Sequence, residues 1–201
     1  MAITKLSVST VKNGLLKSNK IWDQTSTWVD APTNSYFPIA SYTVPATAQA
    51  SITFAGIPQN FTHLQIRGLI KSSGGSGPYI AYGRFNDDTA SNYSDHTLSG
   101  NGTTTAATGD ASISKITVAV IPDSSYSNVF TSFALDIFDY TNTNKYKTTR
   151  SLSGYETNSN GRVYFSSGSW RSTSAISSIT FSLGTSQDFP QYSNISIYGV
   201  N

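Results

Sequence analysis

The residues that could support nucleophilic or metal chemistry are few. His63 and His96 are the two histidines, and neither stands at a spacing from a second ligand that would build an imidazole metal site. We expect His63 on the polar side of a strand and His96 in a long loop, both as surface or partly satisfied residues. Serines are so numerous that a Ser-His-Asp match would carry no information, and no Gly-x-Ser-x-Gly elbow occurs.

Paired carboxylates would indicate a glycosidase, and two pairs are close in sequence. Asp87 and Asp88 are adjacent, so on a strand they would point to opposite faces, and we interpret them as turn formers. Asp136 and Asp139 flank a strand end, where Asp often braces a turn. Because Glu156 is the single glutamate, acid–base groups are scarce and we expect no enzymatic activity.

Two groups of residues could bind ions. Asn86–Asp88 with Asp95 offer oxygen ligands for calcium but lack EF-hand spacing, and a plain polar loop is the favoured interpretation. Lys145–Lys147 with Arg150 form a basic cluster around a tyrosine, for which a solvated hairpin is favoured over a phosphate contact. The net charge is only +2, so we expect no nucleic-acid partner. Because no ligand spacing typical of a metal site occurs, we also expect no metal and no cofactor.

Aromatic residues in loops could stack on sugar rings. The candidates in this sequence are Tyr79, Tyr82, Tyr93, Tyr126, Tyr155 and Trp170. The alternative, which we favour for any single one of them, is that the ring fills the core or a subunit interface.

The composition indicates which elements must position these residues. Of 201 residues, 72 are Ser, Thr or Asn, whereas Leu occurs nine times and cysteine is absent. This composition excludes a mostly helical protein and favours strands with polar outer faces and turns. No apolar run is long enough to span a membrane, and no secretory signal follows Met1. Without cysteine the core must be held by packing alone.

The chain divides by pattern into residues 1–40 and residues 41–201. The first segment contains Trp22 and Trp28, and Pro32 and Pro38 interrupt any regular element. We predict an extended N-terminal arm whose tryptophans anchor it to its own domain or to a neighbouring subunit. An ordinary first strand followed by a long loop is the alternative.

Short alternating segments follow from residue 41, with no helix between them. Residues 129–138 form the strongest pattern, with apolar groups on both faces, and we expect a central strand there. Residues 86–110 are polar and are expected to be irregular. The pattern predicts an all-β fold, an antiparallel β-sandwich or jelly roll at residues 41–201.

Four segments together resemble a known group. They are Ser51 to Arg67, Arg84 to Asp88 with Ser91 to Ser94, Asp136 to Tyr140 with Lys145 to Thr148, and the C-terminal Phe189 to Val200 with its Ile-Tyr-Gly-Val ending. They are similar to small virion structural proteins of tailed bacteriophages, particularly those of cyanobacteria and other aquatic hosts. The resemblance covers about residues 41–201.

The resemblance implies a non-enzymatic protein on the exterior of a virion, assembled in the host cytoplasm. It implies a β-sandwich in a homo-oligomer, often a trimer, and supplies no catalytic residues. We expect a capsid decoration (cement) protein that binds the major capsid protein. The alternative is a tail-associated or fibre module that binds tail proteins and a host surface glycan through Tyr79, Tyr93, Tyr126 or Trp170.

Overall fold

The chain folds into two compact units, of which the second, Tyr36–Val200, is a β-sandwich. The computed structural model describes residues 36–158, 160–184 and 186–201 with their side chains, and residues 20–22 and 28–30 by their backbone. None of the described residues lies in a helix. Within those ranges, accordingly, no helix is long and apolar enough to cross a membrane.

Two short strands belong to the first unit. Strand β1 (Lys20–Trp22) pairs antiparallel with β2 (Trp28–Asp30), and Trp22 is opposite Trp28 in this register. The tryptophan side chains lie outside the described atoms, so their anchoring role stays a prediction. The boundary at residue 40 is too late, because the first strand of the sandwich begins at Phe37.

Twelve strands make up the sandwich. They are β3 (Phe37–Thr43), β4 (Ser51–Ala55), β5 (His63–Ile70), β6 (Tyr79–Phe85), β7 (Tyr93–Gly100), β8 (Thr105–Ile113), β9 (Ile116–Ile121), β10 (Thr131–Phe138), β11 (Lys147–Glu156), β12 (Gly161–Trp170), β13 (Ser178–Leu183) and β14 (Asn194–Val200).

The twelve strands form two antiparallel sheets. The large sheet has the order β3-β14-β5-β10-β11-β12-β7-β8 and the small sheet has the order β4-β13-β6-β9. Without the hairpins β7–β8 and β11–β12, the large sheet has the order β3-β14-β5-β10 and faces the small sheet, β4-β13-β6-β9. This is the strand order of a jelly roll. The predicted all-β sandwich is therefore confirmed, and the two hairpins extend one of its sheets.

The core forms because alternate residues of each strand point inward. In β10, which is fourth in the large sheet as expected of a central strand, Phe133, Leu135 and Ile137 are buried. In β14, Ile195 and Ile197 are fully buried. The inward residues of both sheets form one continuous apolar cluster.

The prediction of irregular structure at residues 86–110 is wrong. This stretch contains β7 and most of β8, paired from Tyr93 opposite Ile113 to Gly100 opposite Thr105. It also places His96 in a strand, on the outer face over Gly109, and not in a loop. Small Ser, Thr, Ala and Gly side chains carry little apolar alternation, so pairing with β12 defines these strands more than their own pattern does.

Strand β9 is the edge strand of the small sheet, and the backbone groups on its unpaired side are hydrogen-bonded to side chains on the inner face of the large sheet. The backbone groups of Val120 that point away from β6 are bound by large-sheet side chains. Its N–H donates to Ser153 Oγ at 3.2 Å, and its carbonyl accepts from Thr131 Oγ1 at 2.7 Å. Both hydroxyls are buried.

The same pattern continues toward the start of β9. The N–H of Thr117 donates to Asp95 Oδ2 at 2.6 Å, and its carbonyl accepts from Ser166 Oγ at 3.2 Å. The carbonyl of Val118 accepts from Ser151 Oγ at 2.5 Å. Part of the Ser and Thr content, interpreted from the sequence as outer faces and turns, is therefore an internal row that satisfies a buried strand edge.

Candidate functional site

Two of the predicted sugar-stacking residues are core residues. Tyr93 is 0% exposed and Trp170 is 2% exposed, and their rings stack with centroids 6.2 Å apart. Phe85 packs against both rings, and the Tyr93 hydroxyl bonds the backbone of Phe85. Because protein covers these rings, the glycan-stacking prediction is wrong for Tyr93 and Trp170, and the core alternative holds.

Tyr79 and Tyr126 are half-buried beside the loop that leads into β6. The Tyr79 hydroxyl accepts the Ser76 N–H at 3.1 Å. The carbonyls of Tyr126 and Ser127 accept from Lys71 Nζ at 2.7 and 2.6 Å. Both tyrosines thus help to hold loops, and sugar stacking by Tyr79 and Tyr126 stays a prediction.

The histidine and carboxylate candidates do not form one site, because each aspartate has its own charged partner. Asp139 contacts Lys145, and its backbone N–H donates to His63 Nδ1 at 3.0 Å. The hydrogen bond from Lys145, followed by the charge of Lys145, lowers the pKa of Asp139. Asp136 instead accepts from Arg150 Nη2 at 2.8 Å, on the outer face of the large sheet. Asp136 and Asp139 thus have different cationic partners.

The proposed calcium ligands also have separate partners. Asp88 Oδ2 accepts from Asn92 Nδ2 at 2.9 Å and Trp170 Nε1 at 2.8 Å, which lowers the pKa of this carboxyl. Asp95 is buried under β9. Among residues 36–158, 160–184 and 186–201, no group of three His, Cys, Asp or Glu could hold a metal ion.

The basic cluster is not a cationic patch. Lys147 is fully buried, and its Nζ donates to the carbonyls of Asn142, Lys145 and Thr173 at 2.6, 3.1 and 3.1 Å. Burial lowers the pKa of Lys147. The solvated-hairpin interpretation is therefore wrong for Lys147, and Arg150 is paired with Asp136.

A first surface feature is an apolar patch on the outer face of the large sheet. Its members are between 43 and 60% exposed. We define the apolar patch as Leu69, Leu98, Leu152, Val163 and Phe165. Leu152 is opposite Phe165, which is opposite Leu98 in the next strand, so these three side chains form a row across three strands. Side chains this large on adjacent strands form a continuous apolar surface.

Charged residues border the apolar patch. A shallow groove of about 1010 Å³ runs along it and is also lined by Arg67, Glu156 and Arg162. The Arg67 guanidinium lies over the rings of Tyr36 and Tyr198, at 4.5 and 5.3 Å from their centroids. An apolar centre with a mixed-charge rim is the usual anatomy of a protein–protein interface.

A second feature lies between the sheets, on the side of β9 opposite the core. There β7, β8 and β12 extend past the small sheet and leave a cleft of about 560 Å³. We define the inter-sheet cleft by Tyr82, Thr97, Thr108, Asp110, Lys115 and Tyr164, which line it. The alternation in β6 explains Tyr82, because Ala81, Gly83 and Phe85 face the core and Tyr82 faces away.

Charge is balanced inside the inter-sheet cleft. Lys115 Nζ lies 3.9 Å from the centroid of the Tyr82 ring, and burial lowers the pKa of Lys115. Burial raises the pKa of Tyr82, and the carboxylates of Asp95 and Asp110 raise it further. Tyr82 therefore stays a neutral phenol that can donate and accept hydrogen bonds near pH 7.

Comparison of the chain with protein-family models, with curated proteins and with solved structures finds no match. The candidate sites therefore depend on geometry and chemistry alone. Sequence reasoning named Tyr82 among several tyrosines but not as a cleft residue, and it did not identify Tyr164 or Lys115. Strict alternation along β6 was the signal that could have selected Tyr82.

Proposed function

We propose that this protein is a non-enzymatic structural protein of a bacteriophage virion, a capsid decoration protein that binds the outer capsid surface as a homo-oligomer. The apolar patch is the observation that carries the proposal. The resemblance of residues 41–201 to small virion proteins of tailed phages supplies the class of particle. The separate ion pairs of Asp136 and Asp139 support a role without acid–base catalysis.

A second copy of the chain is the occupant that we propose for the apolar patch. Five large exposed hydrophobic side chains on one sheet face exceed what isolated surface residues require. The members of the patch lie on β5, β11, β12 and β7, and the small side chains of Ser132 and Ala134 on β10 lie between Leu69 and the other four. At about 4.8 Å per strand the patch is about 19 Å wide, the scale of the centre of a standard interface.

The charges around the patch are compatible with self-association. Arg67 and Arg150 lie on this face with Asp136 and Glu156, so positive and negative groups are interspersed on it. Three copies can therefore pack with this face toward a common three-fold axis without strong like-charge repulsion, and rim pairs can set their orientation. We propose a trimer, with residues 1–40 and their Trp22 and Trp28 binding the capsid proteins.

The test of self-association is the mass of the purified protein by light scattering. We expect the wild type to have about three times the chain mass of 21.6 kDa. Leu152→Asp should shift the mass toward one chain, because a carboxylate in the centre of an apolar interface is left unpaired. Tyr146→Asp, at an exposed residue outside the patch, is the matched control and should leave the mass unchanged. A wild-type monomer at micromolar concentration would contradict the proposal.

The test of the location is electron microscopy of labelled protein added to capsids that lack it. Density on the outer capsid surface would support decoration, and density on the tail alone would favour the tail-associated alternative. Removal of residues 1–35 should leave a folded sandwich that no longer joins particles. If that shortened protein still decorates capsids fully, the anchoring role of Trp22 and Trp28 is wrong.

A further inference from the structure

The inter-sheet cleft collects hydrogen-bonding groups that the fold does not use. Among the described residues, the Asp110 carboxylate and the phenols of Tyr82 and Tyr164 receive no hydrogen bond or ion pair. The Lys115 ammonium lies over the Tyr82 ring and makes no hydrogen bond or ion pair with any other residue that the structure describes. The polar atoms of these four side chains reach solvent, because no buried side-chain nitrogen or oxygen atom of the described residues lacks a partner. Four unused groups in one concave site indicate a polar ligand.

The positions of these groups come from rigid elements on both sides of the cleft. Tyr82 is on β6 and Lys115 is immediately before β9, whereas Asp110 and Tyr164 are on β8 and β12. Thr97 and Thr108 are bonded to each other at 2.6 Å between β7 and β8 and add hydroxyls to the same wall. The donors and acceptors are therefore held on strands, which limits the conformational entropy lost on binding.

The chemistry of the lining selects among ligand classes. One carboxylate and one ammonium leave the cleft without net charge, so a phosphate or a nucleic acid would meet Asp110 as well as Lys115. An apolar ligand such as a lipid chain would remove water from six polar side chains without replacing their hydrogen bonds. A ligand that carries many hydroxyls on an apolar ring satisfies both the polar groups and the tyrosine rings.

We propose that the inter-sheet cleft binds a neutral saccharide of one or two rings. Asp110 accepts from sugar hydroxyls, Lys115 donates to them, and Tyr82 and Tyr164 provide ring edges and phenol groups. The volume of about 560 Å³ lies within the range of about 300–1,000 Å³ usual for small-ligand sites. Because Lys115 already covers one face of Tyr82, we expect a sugar to contact Tyr164 and the Ile80 side of the cleft.

This site differs from the sugar-stacking residues predicted from the sequence, of which Tyr93 and Trp170 are buried. It also does not depend on the proposed capsid role. A virion protein without any saccharide site would leave the proposal above intact, and a saccharide-binding protein that does not join capsids would leave this one intact.

The experiment uses the full chain and soluble probes. Glucose, galactose, mannose, N-acetylglucosamine and disaccharides of each are screened by saturation-transfer difference NMR, and the tightest probe is titrated calorimetrically. The same titration with inorganic phosphate tests the anion alternative. We expect binding of at least one saccharide, with amide shifts confined to Thr97, Thr108, Thr117 and their neighbours in ¹H–¹⁵N spectra.

Two variants localise the binding. Asp110→Ala should weaken the affinity about tenfold or more, the range expected when a hydrogen bond to a charged group is lost. Because Asp110 is exposed and has no partner in the described chain, this variant should fold. Asp188→Ala, outside the cleft, should bind as the wild type does. Tyr82→Phe should weaken binding, and Tyr146→Phe is its control.

Three outcomes would overturn the proposal. They are no binding of any saccharide probe at millimolar concentration, phosphate binding stronger than saccharide binding, and saccharide binding that Asp110→Ala and Tyr82→Phe leave unchanged. In the last case Tyr79→Ala and Tyr126→Ala would test whether the sugar stacks on the tyrosines predicted from the sequence.

Discussion

Replacing Thr131 by Val tests whether hydrogen bonds from large-sheet side chains to the unpaired edge of β9 stabilise the fold. The Thr131 hydroxyl is fully buried and donates to the Val120 carbonyl at 2.7 Å. Valine has the same shape, so the substitution removes the donor without opening a cavity. The carbonyl of Val120 points away from β6 and is then left without this partner.

The expected loss of stability is the difference of two terms. An unsatisfied buried acceptor costs about 1–3 kcal/mol, and exchanging a hydroxyl for a methyl group gains about 0.8 kcal/mol of apolar burial. We therefore expect Thr131→Val to lower the free energy of unfolding by about 1 kcal/mol, within a range of about 0.2–2.2 kcal/mol. A simple hydrophobicity argument predicts the opposite sign, which makes the experiment decisive.

Urea unfolding followed by tryptophan fluorescence measures the effect. With an m-value of about 2 kcal/mol/M, the midpoint should fall by about 0.5 M, and by no more than about 1.1 M, while the m-value stays constant. Thr148→Val is the matched control, because Thr148 is exposed on β11 and its change should stay within about 0.5 kcal/mol. If Thr131→Val is as stable as the wild type, or more stable, the hydroxyl row does not support β9.

Further expectations concern the core. Tyr93→Phe removes bonds of 3.0 and 3.2 Å to the Phe85 backbone and should cost about 1–3 kcal/mol in chemical denaturation at pH 7. Burial raises the pKa of Tyr93 from 10.0 to about 12, so its contribution is complete below pH 10 and is lost between pH 10 and 12, a loss that Tyr93→Phe should not show. In Gly68→Ala the new Cβ would lie 2.4 Å from Phe133 Cε1, so this variant should lose about 1–3 kcal/mol of stability in thermal or urea unfolding. Gly100→Ala, in which the nearest atom to the new Cβ is at 3.6 Å, should not show this steric loss. Equal stability of the two variants would refute this argument.

The strands with regular alternation could be predicted closely from the sequence. Strand β10 (Thr131–Phe138) lies within the predicted residues 129–138, because apolar residues recur there with the period of a strand. The hairpin β7–β8 was not predicted, because its small polar residues resemble a loop until β12 supplies pairing partners. A strand that forms because a neighbouring strand supplies its pairing partners cannot be recognised from its own sequence pattern.

The sites were harder to predict than the strands. Burial of Trp170 follows from the length of β12, which continues to Trp170 although its pattern weakens after Phe165. The inter-sheet cleft forms because the fold brings β6 and β8 close together, and no local spacing in the sequence predicts that proximity. The buried hydroxyl row likewise depends on where β9 crosses the large sheet.

The position of β14 has a consequence for biosynthesis. This strand lies between β3 and β5, and Ser41 bonds Ser196 across a separation of 155 residues. Until residues 194–200 have left the ribosome, β3 and the facing edge of β5 have no strand between them, so the large sheet cannot be completed before that point. Folding dominated by such distant pairings is slow, and the waiting edges can pair with other nascent chains.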